Sequence, residues 1–263
     1  MKPFYFGPED KALFGIYSAP ANGPARRGAV LICYPFGPEY LRSHRALREL
    51  SQHLGLEGHH TLRFDYFGCG DSAGDAEDST VEEWMENLGD AIEELQAASG
   101  CDRVSLVGIR LGATLAALRA QADARVERVV LWDPIVNGAA YLQELTEQHR
   151  AFMVGRPLPR GWAEEEPPAE LLGAPLRAPL REGIAGLDLL ALQRRPAPSV
   201  LVVSTGPPGG AEALCRHLER LGADVLHERI SSHPLWLRHE RVDRTLVPLD
   251  VVQRITSWLG ARP

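Results

Sequence analysis

Apolar runs of five to seven residues recur along the chain, each followed by a stretch with helical spacing of apolar positions. Ala29-Val30-Leu31-Ile32-Cys33, Thr61-Leu62-Arg63-Phe64-Asp65, Val104 to Ile109, Val126 to Trp132, and Ser199 to Thr205 are continuous rather than alternating. Such runs belong to strands covered on both faces. Between them, Leu47, Leu50 and Leu54 mark one helix, and Val81, Trp84, Met85, Leu88, Ile92 and Leu95 mark a second. Ser79 with Glu82 reads as a capping box opening that second helix. Leu214, Leu218 and Leu221 mark another helix, followed by a strand from Asp224 to Ile230 and a last helix through Val251, Val252, Ile255 and Leu259. The strand, helix and strand alternation predicts an α/β fold with right-handed crossovers and a mostly parallel sheet. Two shorter stretches, Phe4 to Phe6 and Ala12 to Tyr17, flank a Gly-Pro turn and predict an antiparallel sheet edge.

The alternation stops between Ile135 and Arg195, a stretch with repeated prolines, Trp162 and the acidic run Glu164-Glu165-Glu166. It is too long for a plain connection. The division that follows is a core over 1–134 and 196–263, with a cap inserted over 135–195. At 263 residues and 44% apolar content, one domain suffices to bury a large core.

Net charge is -7, which disfavours a nucleic-acid partner, because phosphate binding needs a clustered basic surface. Four cysteines without paired or metal-ligand spacing read as reduced thiols of a cytoplasmic protein. Neither a signal-peptide run nor a segment able to span a bilayer is found. No metal site and no cofactor motif is expected.

The informative stretch is Val107-Gly108-Ile109-Arg110-Leu111-Gly112, a strand entering a Gly-x-x-x-Gly turn and then a helix. This is the strand, turn and helix of a nucleophile elbow, with Arg110 in place of the serine. Arginine stays protonated and cannot attack a carbonyl. At a helix N-terminus its charge is disfavoured by about 0.3–1 kcal/mol, so an anion should compensate it. Two sources are open: a carboxylate or phosphate group of a ligand, or an internal salt bridge to Glu39 or Asp133.

Together with Arg63-Phe64-Asp65-Tyr66-Phe67-Gly68-Cys69-Gly70-Asp71-Ser72, the elbow and the order of elements resemble the α/β-hydrolase superfamily over nearly the whole chain. Pro35-Phe36-Gly37-Pro38-Glu39-Tyr40 with Ser43-His44-Arg45, and Leu131-Trp132-Asp133-Pro134, are similar to the serine-aminopeptidase-like branch and its exosortase-associated hydrolase-like proteins. The resemblance implies an α/β-hydrolase fold with helices on both faces and a cap. It places the acid at Asp133 and the histidine at His233, with His239 a weaker candidate. It also places oxyanion donors at the backbone amides of Phe36 and Leu111. Two functions follow. One is a protein binding an acyl or carbonyl small molecule under a cap, with Arg110 and Glu39 in the binding site and serine-independent chemistry through a His233 and Asp133 pair. The other is a non-catalytic pseudohydrolase serving as a binding or partner protein in a biosynthetic or export pathway.

Overall fold

The computed structural model describes residues 1–21, 28–154, 168–206, 210–232, 234 and 247–261. Strand β1 (Lys2–Phe6) pairs antiparallel with β2 (Leu13–Ser18), and β2 pairs antiparallel with β4 (His60–Phe64). The remaining core strands are β3 (Ala29–Cys33), β5 (Val104–Ile109), β6 (Val126–Trp132), β9 (Ser199–Ser204) and β10 (Asp224–Arg229). With β4 they form a parallel array, giving the sheet order β1-β2-β4-β3-β5-β6-β9-β10. Every residue of β3 and β5 is buried, as continuous apolar runs require when both faces are covered.

The helices are α1 (Pro38–Leu56), α2 (Val81–Ser99), α3 (Leu111–Ala120), α6 (Ala211–Arg220) and α7 (Leu249–Gly260). Alternate residues of the β4 segment look to opposite layers. Thr61 hydrogen-bonds Ser51 of α1, and Asp65 takes the Tyr40 hydroxyl of α1. Phe64, by contrast, stacks edgewise on Tyr66, which meets Trp84 of α2. The period of two thus puts one helix on each side.

One local expectation changes. The hydroxyl capping α2 belongs to Thr80, which accepts from the Glu83 amide, while Ser79 donates to the Phe67 carbonyl. Thr80 has the extended dihedrals an N-cap needs and stands one residue nearer the helix. Helix α1 starts at Pro38, a residue whose fixed φ and missing N–H suit the first helical position. Glu39 and Tyr40 therefore stand in its first turn.

Between the neighbouring strands β6 and β9 the chain leaves the sheet to form α4 (Gly138–Met153), a small hairpin of β7 (Glu170–Leu171) with β8 (Ala174–Pro175), and α5 (Ala178–Ala185). Asn137 caps α4 by accepting from the Ala140 amide. At the far end of the molecule, Arg128 of β6 donates to the carbonyls of Trp258, Leu259 and Ala261 and stacks 4.0 Å from the Trp258 ring centroid. It neutralises the C-terminal end of α7, whose last carbonyls have no helical donors.

Candidate functional site

The elbow is built by two close approaches. A Cβ on Gly108 would lie 2.4 Å from the Gly112 carbonyl, and one on Gly112 would lie 2.3 Å from the carbonyl of Tyr34. Only glycine fits either position. Between them Arg110 takes φ 53° and ψ -123°, off the regions non-glycine residues prefer, and its amide donates to the Trp132 carbonyl at 3.0 Å. The turn thrusts the side chain above the sheet's carboxyl edge, as the residue pattern requires.

There the guanidinium is enclosed. Its Nε donates to Glu39 Oε1 at 3.0 Å, and its Nη2 donates to both carboxylate oxygens of Glu144 at 3.0 Å. Tyr141 donates to the second Glu39 oxygen at 3.0 Å and lays its ring 5.3 Å from the guanidinium carbon. The Arg110 and Glu39 side chains are 9% and 3% exposed, whereas that of Glu144 is 40% exposed. Burial pushes the Glu39 carboxyl above its ordinary value, against the pull of Arg110 and the Tyr141 hydroxyl. The two carboxylates hold Arg110 more firmly protonated than usual. One cation between two anions leaves this cluster with a net charge near -1.

Of the two internal partners open for Arg110, Glu39 forms the contact. Asp133 does not, because its oxygens are taken elsewhere. Oδ1 accepts from the Thr205 amide at 2.8 Å and the Gly206 amide at 3.3 Å, and Oδ2 accepts from the Thr205 hydroxyl at 2.8 Å. Asp133 sits at φ 44°, and burial raises its carboxyl despite these donors. His233 and His239 lie outside the described residues. Leu111 opens α3, so its amide is among those lacking an intrahelical acceptor. Phe36 packs 6.0 Å from the Trp84 ring. Among the described residues no group of three or more metal-ligating side chains gathers.

Sequence reasoning missed Tyr141 and Glu144. They stand three apart on α4, one helical face, which is the periodicity that would have paired them. It also missed a cavity of about 160 Å³ beside the elbow, walled by Tyr34, Phe36, Tyr66, Trp84, Pro175 and Leu180. Trp84, on the apolar face of α2, forms part of its wall.

Residues 28–245 match the model of a family described as alpha/beta hydrolase. The chain belongs to the alpha/beta hydrolase family. Among solved structures it is similar to a thermostable carboxyl esterase from Bacillus coagulans in complex with glycerol, at 16% identity and a TM-score of 0.70, covering 98% of this chain and 97% of that one. It is likewise similar to Est1E from Butyrivibrio proteoclasticus with ferulic acid bound, at 17% identity and a TM-score of 0.67, covering 98% and 96%. A proline iminopeptidase from Mycobacterium smegmatis aligns at 14% identity and a TM-score of 0.65, covering 98% and 97%. At these identities the likeness is one of fold. No curated protein matches the chain in sequence. Within this alpha/beta hydrolase, no helix among the described residues is long and apolar enough to cross a membrane.

Proposed function

We propose that this alpha/beta hydrolase binds a small acyl or other carbonyl compound beneath residues 135–195, acting as a cap, and forms no covalent acyl-enzyme. The protein is then a pseudohydrolase, working as a cytoplasmic binding protein. The carrying observation is Arg110 at the tip of the elbow with its Nε and Nη2 engaged by Glu39 and Glu144. A guanidinium cannot serve as nucleophile. Two carboxylates on that guanidinium offset its positive charge, so it offers little stabilisation to the negative charge that builds in acyl transfer. Arginine at this position agrees with the resemblance to the exosortase-associated members of the serine-aminopeptidase-like branch. The net negative cluster favours a neutral ligand; an anionic group would have to displace Glu144, the exposed partner.

A fluorophosphonate probe tests this, with an active carboxyl esterase as positive control. No labelling is expected, and no burst of product from activated esters or thioesters. Stoichiometric attachment of the probe to any residue would overturn the reading.

One observation favours a second reading. Asp133 is held by two amides and a hydroxyl, the kind of fixed carboxylate that orients a histidine. Under that reading His233 acts as general base on water, and His233→Ala abolishes a slow hydrolysis that the fluorophosphonate probe leaves untouched.

A further inference from the structure

The cavity beside the elbow is lined by no Lys, Arg, His, Asp or Glu among the described residues. Its polar side chains are mostly spoken for within the protein. Trp84 Nε1 and the Ser79 hydroxyl both donate to the Phe67 carbonyl, and the Tyr40 hydroxyl donates to Asp65. The Tyr66 hydroxyl is fully enclosed and without a hydrogen-bond partner among the described residues, with the thiols of Cys33 and Cys69 near it.

Tyr34 differs. Its oxygen accepts from Arg63 Nη1 at 2.7 Å, and among the described residues nothing accepts its proton. Arg63 is 3% exposed, and among the described residues no carboxylate reaches it at ion-pair distance and its Nε is without a partner. A buried cation with so little compensation is costly unless it polarises something useful. Here its Nη1 donates to the Tyr34 hydroxyl oxygen, which strengthens the O–H as a donor. A buried donor without an acceptor is itself a deficit that a ligand can remove.

We propose that the cavity takes a neutral, mainly apolar ligand about one aromatic ring in size, whose single acceptor oxygen receives the Tyr34 proton, with Arg63 as the positioning residue behind it. The size follows from the volume of about 160 Å³; an apolar cavity of about 150 Å³ accommodates benzene. Aromatic walls from Phe36, Tyr66 and Trp84 favour a flat group. This deepens the reading of the protein as a carbonyl-binding pseudohydrolase and rests on it.

The test is calorimetric titration of the full chain with three probes of similar size: acetophenone, ethylbenzene and benzoate. Acetophenone should bind about five- to tenfold more tightly than ethylbenzene, as one hydrogen bond to a polarised donor allows. Benzoate should bind more weakly than either. In Tyr34→Phe and in Arg63→Met the preference for acetophenone should vanish while ethylbenzene affinity stays within about twofold, a split that loss of structure alone would not produce. Ala174→Leu, which fills the cavity from β8, should abolish binding of both neutral probes. The proposal is overturned if acetophenone and ethylbenzene bind wild type equally, if the preference survives in Tyr34→Phe, if benzoate binds best, if Ala174→Leu has no effect, or if no probe binds. These outcomes are separate from fluorophosphonate labelling, which reports on the elbow and decides the underlying reading by itself.

Discussion

Replacing Arg110 with methionine keeps the length of the side chain and removes its charge. Glu39 then remains as a carboxylate 3% exposed, held only by the Tyr141 hydroxyl among the groups described above. Deleting one member of a buried ion pair costs about 3–5 kcal/mol, mainly the penalty of leaving the other charged in a poor solvent. For a chain of this size that lowers Tm by on the order of 10 °C. Glu144 contributes little to this sum, because at 40% exposure it returns to water when the cation goes. The penalty should depend on pH. Burial already holds the Glu39 carboxyl above 4.5, and loss of the cation raises it further. Between the unfolded and folded values the native state binds the extra proton, so the stability of Arg110→Met should rise relative to wild type as pH falls from 7.5 towards 5. Adding Glu39→Gln to Arg110→Met removes the orphaned charge and should recover more than half of the loss at pH 7.5. Urea denaturation of the four proteins of the cycle at both pH values measures the coupling directly. If Arg110→Met lies within about 1 kcal/mol of wild type at pH 7.5, the cluster is not the buried, mutually dependent unit described here.

Other perturbations follow from the same geometry. Glu144→Gln should cost less than about 1 kcal/mol in the same denaturation assay, in contrast to Arg110→Met. Gly112→Ala drives a methyl against the Tyr34 and Cys33 carbonyls and should destabilise by about 3 kcal/mol or more, read as a loss of soluble, cooperatively melting protein. Asp123 is held down to about 2 by Arg125 and Arg119, so its contribution is present above its ordinary 3.8 and lost as pH falls towards 2. Asp123→Asn should therefore lower stability at pH 7 by about 2 kcal/mol, with the difference from wild type shrinking steadily in acid titrations.

The strands were legible because a continuous apolar run has few alternatives to a two-sided strand, and the elbow because its two glycines answer close backbone contacts. The compensation of Arg110 was half legible. Glu39 belongs to a motif beside the same sheet edge, so it could be nominated, and Pro38 sets it in the first turn of α1. Glu144 could not be nominated with it. It comes from α4, 34 residues away, in the stretch where the alternation that orders the rest of the chain breaks off. The cavity was invisible for a related reason. Its wall is assembled from the turns after β3 and β4, from α2, and from the hairpin and helix of the inserted segment. Hydrophobic spacing assigns each of those residues to a core without distinguishing a filled core from a hollow one.

The three carbonyls gathered by Arg128 come from the final turn of α7 and the residue beyond it, about 130 positions after the strand that receives them. While the protein is being synthesised, the β6 arginine has no such acceptors until residues 258–261 have left the ribosome. The sheet's centre therefore waits for the tail, and a nascent chain interrupted before Trp258 should carry an uncapped cation against its half-built sheet and be a ready client for chaperones and proteases.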